Sequence, residues 1–187
     1  MLLNLCPRPG RDFGPGWVMF STRRGLLAGP IAAITAAGRY FAGRLVATHC
    51  GLVLDHQHVA EALASGFGVS PLGPLFIDRD VMIWFRRPAG LTPAAAQAMV
   101  DQARAWAASG VAYDFVGCAA EPLALDLDSP RALFCSEAVA TLLRLAAPHL
   151  TRPLPVDLAT RPPEKWNPHE LDSLDGLWGE SEEEEKK

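Results

Sequence analysis

The segment that most restricts the fold is residues 45–54, LVATHCGLVL, a run of apolar and β-branched side chains with one histidine inside it. Such a run reads as a buried strand, and a buried strand obliges the chain to supply partner strands and a cover. Asp55 and His56 follow as turn residues. Residues 57–64, QHVAEALA, come next, and their periodicity fits either a second strand or a short helix. A hairpin turning at Asp55 sets His49 opposite Glu61 on one face, with Cβ atoms about 5 Å apart. A register slip of one residue separates them.

The other elements follow from local signals. Residues 17–20, WVMF, and 81–86, VMIWFR, read as strands. Residues 25–42, rich in Ala, Leu and Ile, suit a helix, and Gly66, Gly68 and Pro71 mark a loop. The clearest helix spans residues 92–109: Thr92-Pro93 caps its start and Gly110 stops it. Residues 113–117 form a short aromatic segment, 119–131 a loop, and 136–147 a second helix ended by Pro148. This order predicts an α+β domain with an antiparallel sheet packed against helices. The expected organisation is a flexible lead-in over 1–15 and one domain over 16–150. A proline-rich wrap over 151–179 and a disordered charged tail over 180–187 complete it.

At 187 residues, half of them apolar and a fifth charged, the chain holds one globular core. A net charge of −4 with scattered basic residues, of which Arg23, Arg24, Arg39 and Arg44 lie nearest one another, excludes a general nucleic-acid surface. The first residues lack the apolar run of a secretory signal, and residues 25–37 are too interrupted to span a bilayer. The expectation is a soluble cytoplasmic protein, with export by a signal-independent route as the alternative. Cys6, Cys50, Cys118 and Cys135 match no zinc ribbon, CxxC pair or disulfide framework, and read as free thiols.

Cys135 stands where an apolar helix begins, at FCSEAV. The positive end of the helix dipole favours thiolate there, and the first backbone N–H groups are free to meet an oxyanion. As an ordinary small buried hydrophobe it would do nothing. A nucleophile needs a base. His56 and His58 flank a turn, and His149 and His169 lie in proline-rich surroundings. His49 alone sits within a strong strand, where a catalytic imidazole is held rigidly. Glu61 is then the carboxylate that fixes its tautomer. A zinc site using His49, Cys50, His56, His58 and Cys135 is the rival, but adjacent strand residues point to opposite faces. No metal and no cofactor is expected.

These segments resemble the circularly permuted NlpC-like amidases, the YiiX/YaeF-like group of papain-fold cysteine hydrolases. Thr48-His49-Cys50-Gly51-Leu52-Val53 is similar to the histidine-strand motif, and Val59-Ala60-Glu61-Ala62 to the strand that follows. Gly68-Val69-Ser70-Pro71-Leu72, Tyr113-Asp114-Phe115 and Phe134-Cys135-Ser136-Glu137-Ala138-Val139 match the later elements in order. The resemblance covers roughly residues 16–147, with an echo at 167–171. It implies a papain-like, permuted NlpC-type fold, with Cys135 as nucleophile, His49 as base and Glu61 as third member. Tyr113, Ser136 and Gly51 would lie near the site. Cys50 departs from the usual aliphatic residue, without touching the triad on this reading. The related lecithin:retinol acyltransferases carry a histidine in the third role, so Glu61 places the chain nearer the YiiX-like side.

The expected function is that of a cysteine hydrolase cleaving a peptide or cell-wall-type amide through an acyl-enzyme. A lipid thioesterase, phospholipase or acyltransferase with the same triad is the alternative. A catalytically idle binding module of the same fold is the third reading.

Overall fold

The computed structural model describes residues 7–23, 46–63, 65–113 and 132–179. The helix expected over 25–42, the loop over 119–131 and the charged tail over 180–187 lie outside them. So do Cys6, Cys118, Arg24, Arg39 and Arg44.

Five strands form one sheet: β1 (Val18–Arg23), β2 (His49–Val53), β3 (His58–Leu63), β4 (Gly66–Pro71) and β5 (Val81–Arg86). Their order is β4-β3-β2-β1-β5, and every pairing is antiparallel. The helices are α1 (Gly73–Ile77), α2 (Pro93–Ser109), α3 (Cys135–Ala146), α4 (Val156–Thr160) and α5 (Pro168–Asp172). Two short strands, β6 (Ala112–Tyr113) and β7 (Ala132–Leu133), pair in parallel just ahead of α3. The α+β class with an antiparallel sheet packed against helices is therefore as expected. Among the described residues no helix is long and apolar enough to cross a membrane.

Alternation along the strands builds two apolar layers. Val18, Phe20, Cys50, Leu52, Ala60, Ala62 and Trp84 face the helices, where they meet Met99 and Ala103 of α2 and Val139, Leu142 and Leu143 of α3. Each large side chain buried there contributes about 1.5–3 kcal/mol. On the other face Met19, Val53 and Val59 pack with Phe13 and Leu72. Phe13 stacks on Phe85 with ring centroids 4.7 Å apart, so the segment before β1 supplies part of the core.

Helix α2 forms as its sequence dictates. Thr92 Oγ1 accepts from Ala95 N–H at 3.1 Å, and Gly110, at φ 68°, takes the left-handed cap. The loop expected around Gly66, Gly68 and Pro71 is instead β4. Gly66, at φ 112°, follows the turn from β3 in a conformation other residues resist. β4 is an edge strand, where a terminal proline breaks no interior ladder.

The proline-rich segment after Leu150 is integral to the core: Leu158, Trp166, Leu171 and Leu177 are buried in the helix-side layer. Asp172 fastens it to the sheet, accepting from Trp84 Nε1 at 2.9 Å and from Arg86 Nε at 3.0 Å. Arg144 of α3 donates to the carbonyls of Leu158 and Arg161.

Candidate active site

Cys135 is the first residue of α3, and 7% of it is exposed. Phe134 precedes the helix in an extended conformation, and its N–H is taken by Glu137 at 3.3 Å. The cap thus leaves the sulfur at the positive end of a helix of 12 residues.

His49 is the first residue of β2, where the strand meets the start of α3. Its Nε2 is 2.7 Å from Glu61 Oε2, and its ring lies near enough to Cys135 for the two to influence each other's charge. Glu61 is 7% exposed, and 24% of the His49 side chain reaches solvent. His49 and Glu61 are thus paired, with Cys135 near by, but not in the expected register. Leu52 pairs with Ala60 and Val53 with Val59, which sets Gly51, not His49, opposite Glu61. The slip amounts to two residues and preserves the face. Glu61 reaches His49 along the diagonal, a span that long side chains bridge.

Glycines make that reach possible. Gly51 flanks Glu61 on β2, and Gly68 pairs with it on β4. A Cβ on Gly51 would lie 2.8 Å from the Ala60 carbonyl and 3.1 Å from Glu61 Cβ. Gly51 is therefore required by packing under the carboxylate. Ser70, two residues beyond Gly68, approaches Glu61 from the far side and favours its charged form. Nothing in the sequence marked Ser70 beyond its place in a motif. Once β4 is a strand, parity brings it to the same face as Glu61.

The electrostatics follow from these contacts. Burial opposes charge on His49, yet the Cys135 sulfur and then Glu61 outweigh it and raise the imidazole to about 10. Burial likewise works against the Glu61 carboxylate, but the His49 and Ser70 hydrogen bonds hold it below the ordinary value. Cys135 is pushed well below the usual thiol value. A hydrogen bond from the Cys50 thiol contributes most; burial opposes it, and His49 and the Cys50 backbone N–H assist it. Cys50 moves the other way, first through burial, then through the facing Cys135 and the charges of Asp172 and Glu61.

Cys50 therefore bears on the charge of Cys135, which the reading that left it outside the triad did not include. Alternation turns it toward the helix layer and away from His49, and the start of α3 lies where both can act on one sulfur. Ser136 lies beside Cys135, as the resemblance implies, but within the core. It is fully buried and donates its hydroxyl to the Trp166 carbonyl at 2.5 Å, so it anchors the C-terminal segment and is not presented to substrate. Tyr113 pairs with Leu133, two residues before Cys135; its side chain lies outside the described residues. Among the described residues no group of three or more His, Cys, Asp or Glu side chains is arranged to hold a metal ion. His56 and His58 are elsewhere: His56 meets Phe13 edge-on, and His58 Nδ1 pairs with Asp55 at 2.9 Å.

No protein-family model, curated protein or solved structure gives a significant match to this chain.

Proposed function

We propose that this chain is a cysteine hydrolase of papain-like, permuted NlpC-type fold that cleaves an amide or peptide bond through an acyl-enzyme. The observation that carries this reading is the His49–Glu61 pair at 2.7 Å on the strands packed against α3, whose first residue is Cys135.

The resting pair is a thiolate beside an imidazolium, so His49 already holds the proton. Cys135 attacks the carbonyl carbon, and the C=O electrons move onto oxygen. The Cys135 N–H, at the open end of the helix, stabilises that oxyanion. His49 then gives its proton to the leaving amine as the tetrahedral intermediate collapses to a thioester. Returned to neutrality, His49 accepts a proton from water, which attacks the thioester and releases the acid. Glu61 keeps the imidazole oriented and favours its charged form, and Ser70 holds Glu61.

The test is acyl-enzyme trapping with a panel of activated acyl donors, read by intact mass and peptide mapping. An adduct on Cys135, absent in Cys135→Ala and turning over in wild type, supports the reading. Amide donors turning over fixes the class as amidase. Turnover confined to acyl-lipid thioesters or esters moves it to the lipid alternative. No adduct on Cys135 with any donor contradicts the hydrolase and favours a binding module.

A further inference from the structure

The strand on the open side of His49 carries a polar residue that the hydrolase reading leaves unused. Ser21 of β1 pairs directly with His49 of β2, so their side chains share one face, with Cβ atoms about 5 Å apart. On its other side Ser21 pairs with the partly buried Ile83 of β5. His49, Ser21 and Ile83 thus form a row across the sheet, on the face that also carries Glu61. Ser21 is 9% exposed. Its carbonyl accepts from the N–H and hydroxyl of Thr48, but among the described residues no partner engages its own hydroxyl. That oxygen is not one of the fully enclosed polar atoms, so it keeps an opening through which a ligand atom can reach it. A buried hydroxyl without a partner costs free energy, and an apolar side chain would sit in this row at no such cost.

We propose that Ser21 is the leaving-group contact of this site, donating its hydroxyl to a carbonyl carried next to the scissile nitrogen, with Ile83 meeting the apolar part beyond it. The proposal rests on the hydrolase reading and names the half of the substrate that the site selects. Glu61, 7% exposed, fills the β3 flank of the imidazole. A leaving nitrogen that takes the His49 proton therefore lies on the β1 flank, over Ser21. The amine released is of the amino-acid or peptide kind, with a carbonyl two bonds from its nitrogen, and not a bare alkylamine. A site built to hydrogen-bond a substrate group discriminates against the analogue that lacks it, because its own polar group is then left unpaired. The reverse step uses the same contact. An amine that attacks the acyl-enzyme bonds the carbonyl carbon, the C–S bond breaks to return the Cys135 thiolate, and His49 takes the amine proton.

The experiment acylates the full chain with p-nitrophenyl esters and confirms the adduct on Cys135 by peptide mapping. Leucinamide or isoamylamine, which is leucinamide without its carboxamide, is then added, and the amide product is measured against the free acid by mass spectrometry. In Ser21→Ala the leucinamide-to-isoamylamine product ratio should fall about 3- to 10-fold from wild type, the size of one neutral hydrogen bond. Ser21→Thr, which keeps a hydroxyl, should restore most of it. Taking the ratio within each variant cancels the differing reactivity of the two amines and any general damage to the site, which a merely structural role would cause. Should Ser21→Ala fail to fold, Ser21→Thr against Ser21→Val makes the same comparison at constant shape. An unchanged ratio on an acylated Cys135 overturns the role of Ser21 and leaves the hydrolase standing. No acyl-enzyme on Cys135 with any ester overturns the hydrolase reading and the subsite with it.

Discussion

Glu61 reaches His49 Nε2 at 2.7 Å from a position diagonal to it on the neighbouring strand, over the backbone of Gly51. The carboxylate so placed takes the Nε2 side of the imidazole. The site is therefore a line that advances strand by strand: Ser70 on β4, Glu61 on β3, His49 on β2, then Cys135 on α3.

Gly51→Ala should damage the site from below. The new methyl would meet the Ala60 carbonyl and Val59 Cγ2, each at 2.8 Å; the first is backbone and the second belongs to a fully buried side chain. The expected cost is about 1–3 kcal/mol, seen as a lower denaturation midpoint. Displacement of Glu61 should lower the His49 pKa in the same variant.

Glu61→Gln keeps the shape and removes the charge. The lost charge-assisted hydrogen bond is worth about 1.5–3 kcal/mol, so His49 should titrate about one to two pH units lower. His49 is raised from 6.5 to about 10. Imidazolium therefore persists up to that value in wild type, and the alkaline limb of turnover should move down in the variant. The stability from this pair is full below 6.5 and declines as pH rises through about 10. On the acid side it is lost as Glu61 protonates below 4.5. Chemical denaturation across pH should show the largest wild-type advantage between those limits.

Ser70→Ala removes one donor from Glu61 and nothing from Cys135. Glu61 should titrate higher, toward its ordinary value, as the Ser70 contribution is lost. Carboxylate titration followed by NMR checks it. Acyl-enzyme formation at neutral pH should fall only a few-fold, since Glu61 remains ionised.

Leu171→Ala tests whether the C-terminal segment belongs to the core. Leu171 is fully buried, next to Asp172, which ties that segment to Trp84 and Arg86. A loss of about 2–5 kcal/mol is expected. A loss under about 0.5 kcal/mol, as at surface sites, would mark the segment as peripheral.

How much of this was legible in the sequence depends on how local each signal was. The caps of α2 were, because Thr92 and Gly110 act on their own helix. The helix at Cys135 and the His49 strand were, from apolar periodicity. β4 was not: Gly66, Gly68 and Pro71 read as turn residues, yet all three pair with β3. The His49–Glu61 pair was right in face and wrong in register, since a slip of two conserves parity. Cys50 was misjudged because strand alternation separates it from His49, while the position of α3 at the strand's end is a long-range fact. The burial of Leu158, Trp166, Leu171 and Leu177 was hidden behind prolines that suggested a surface wrap.

The central claim is an activated Cys135 thiolate paired with His49. The direct measurement is the pH profile of iodoacetamide labelling, site by site, in wild type and His49→Ala. Wild-type Cys135 should label well below pH 8.5, the ordinary thiol value being about that, while Cys118 follows an ordinary curve. His49→Ala should slow Cys135 labelling near pH 6 by ~10-fold or more, equivalent to about one pKa unit. A Cys135 profile that overlays that of Cys118, unchanged by His49→Ala, would contradict the account.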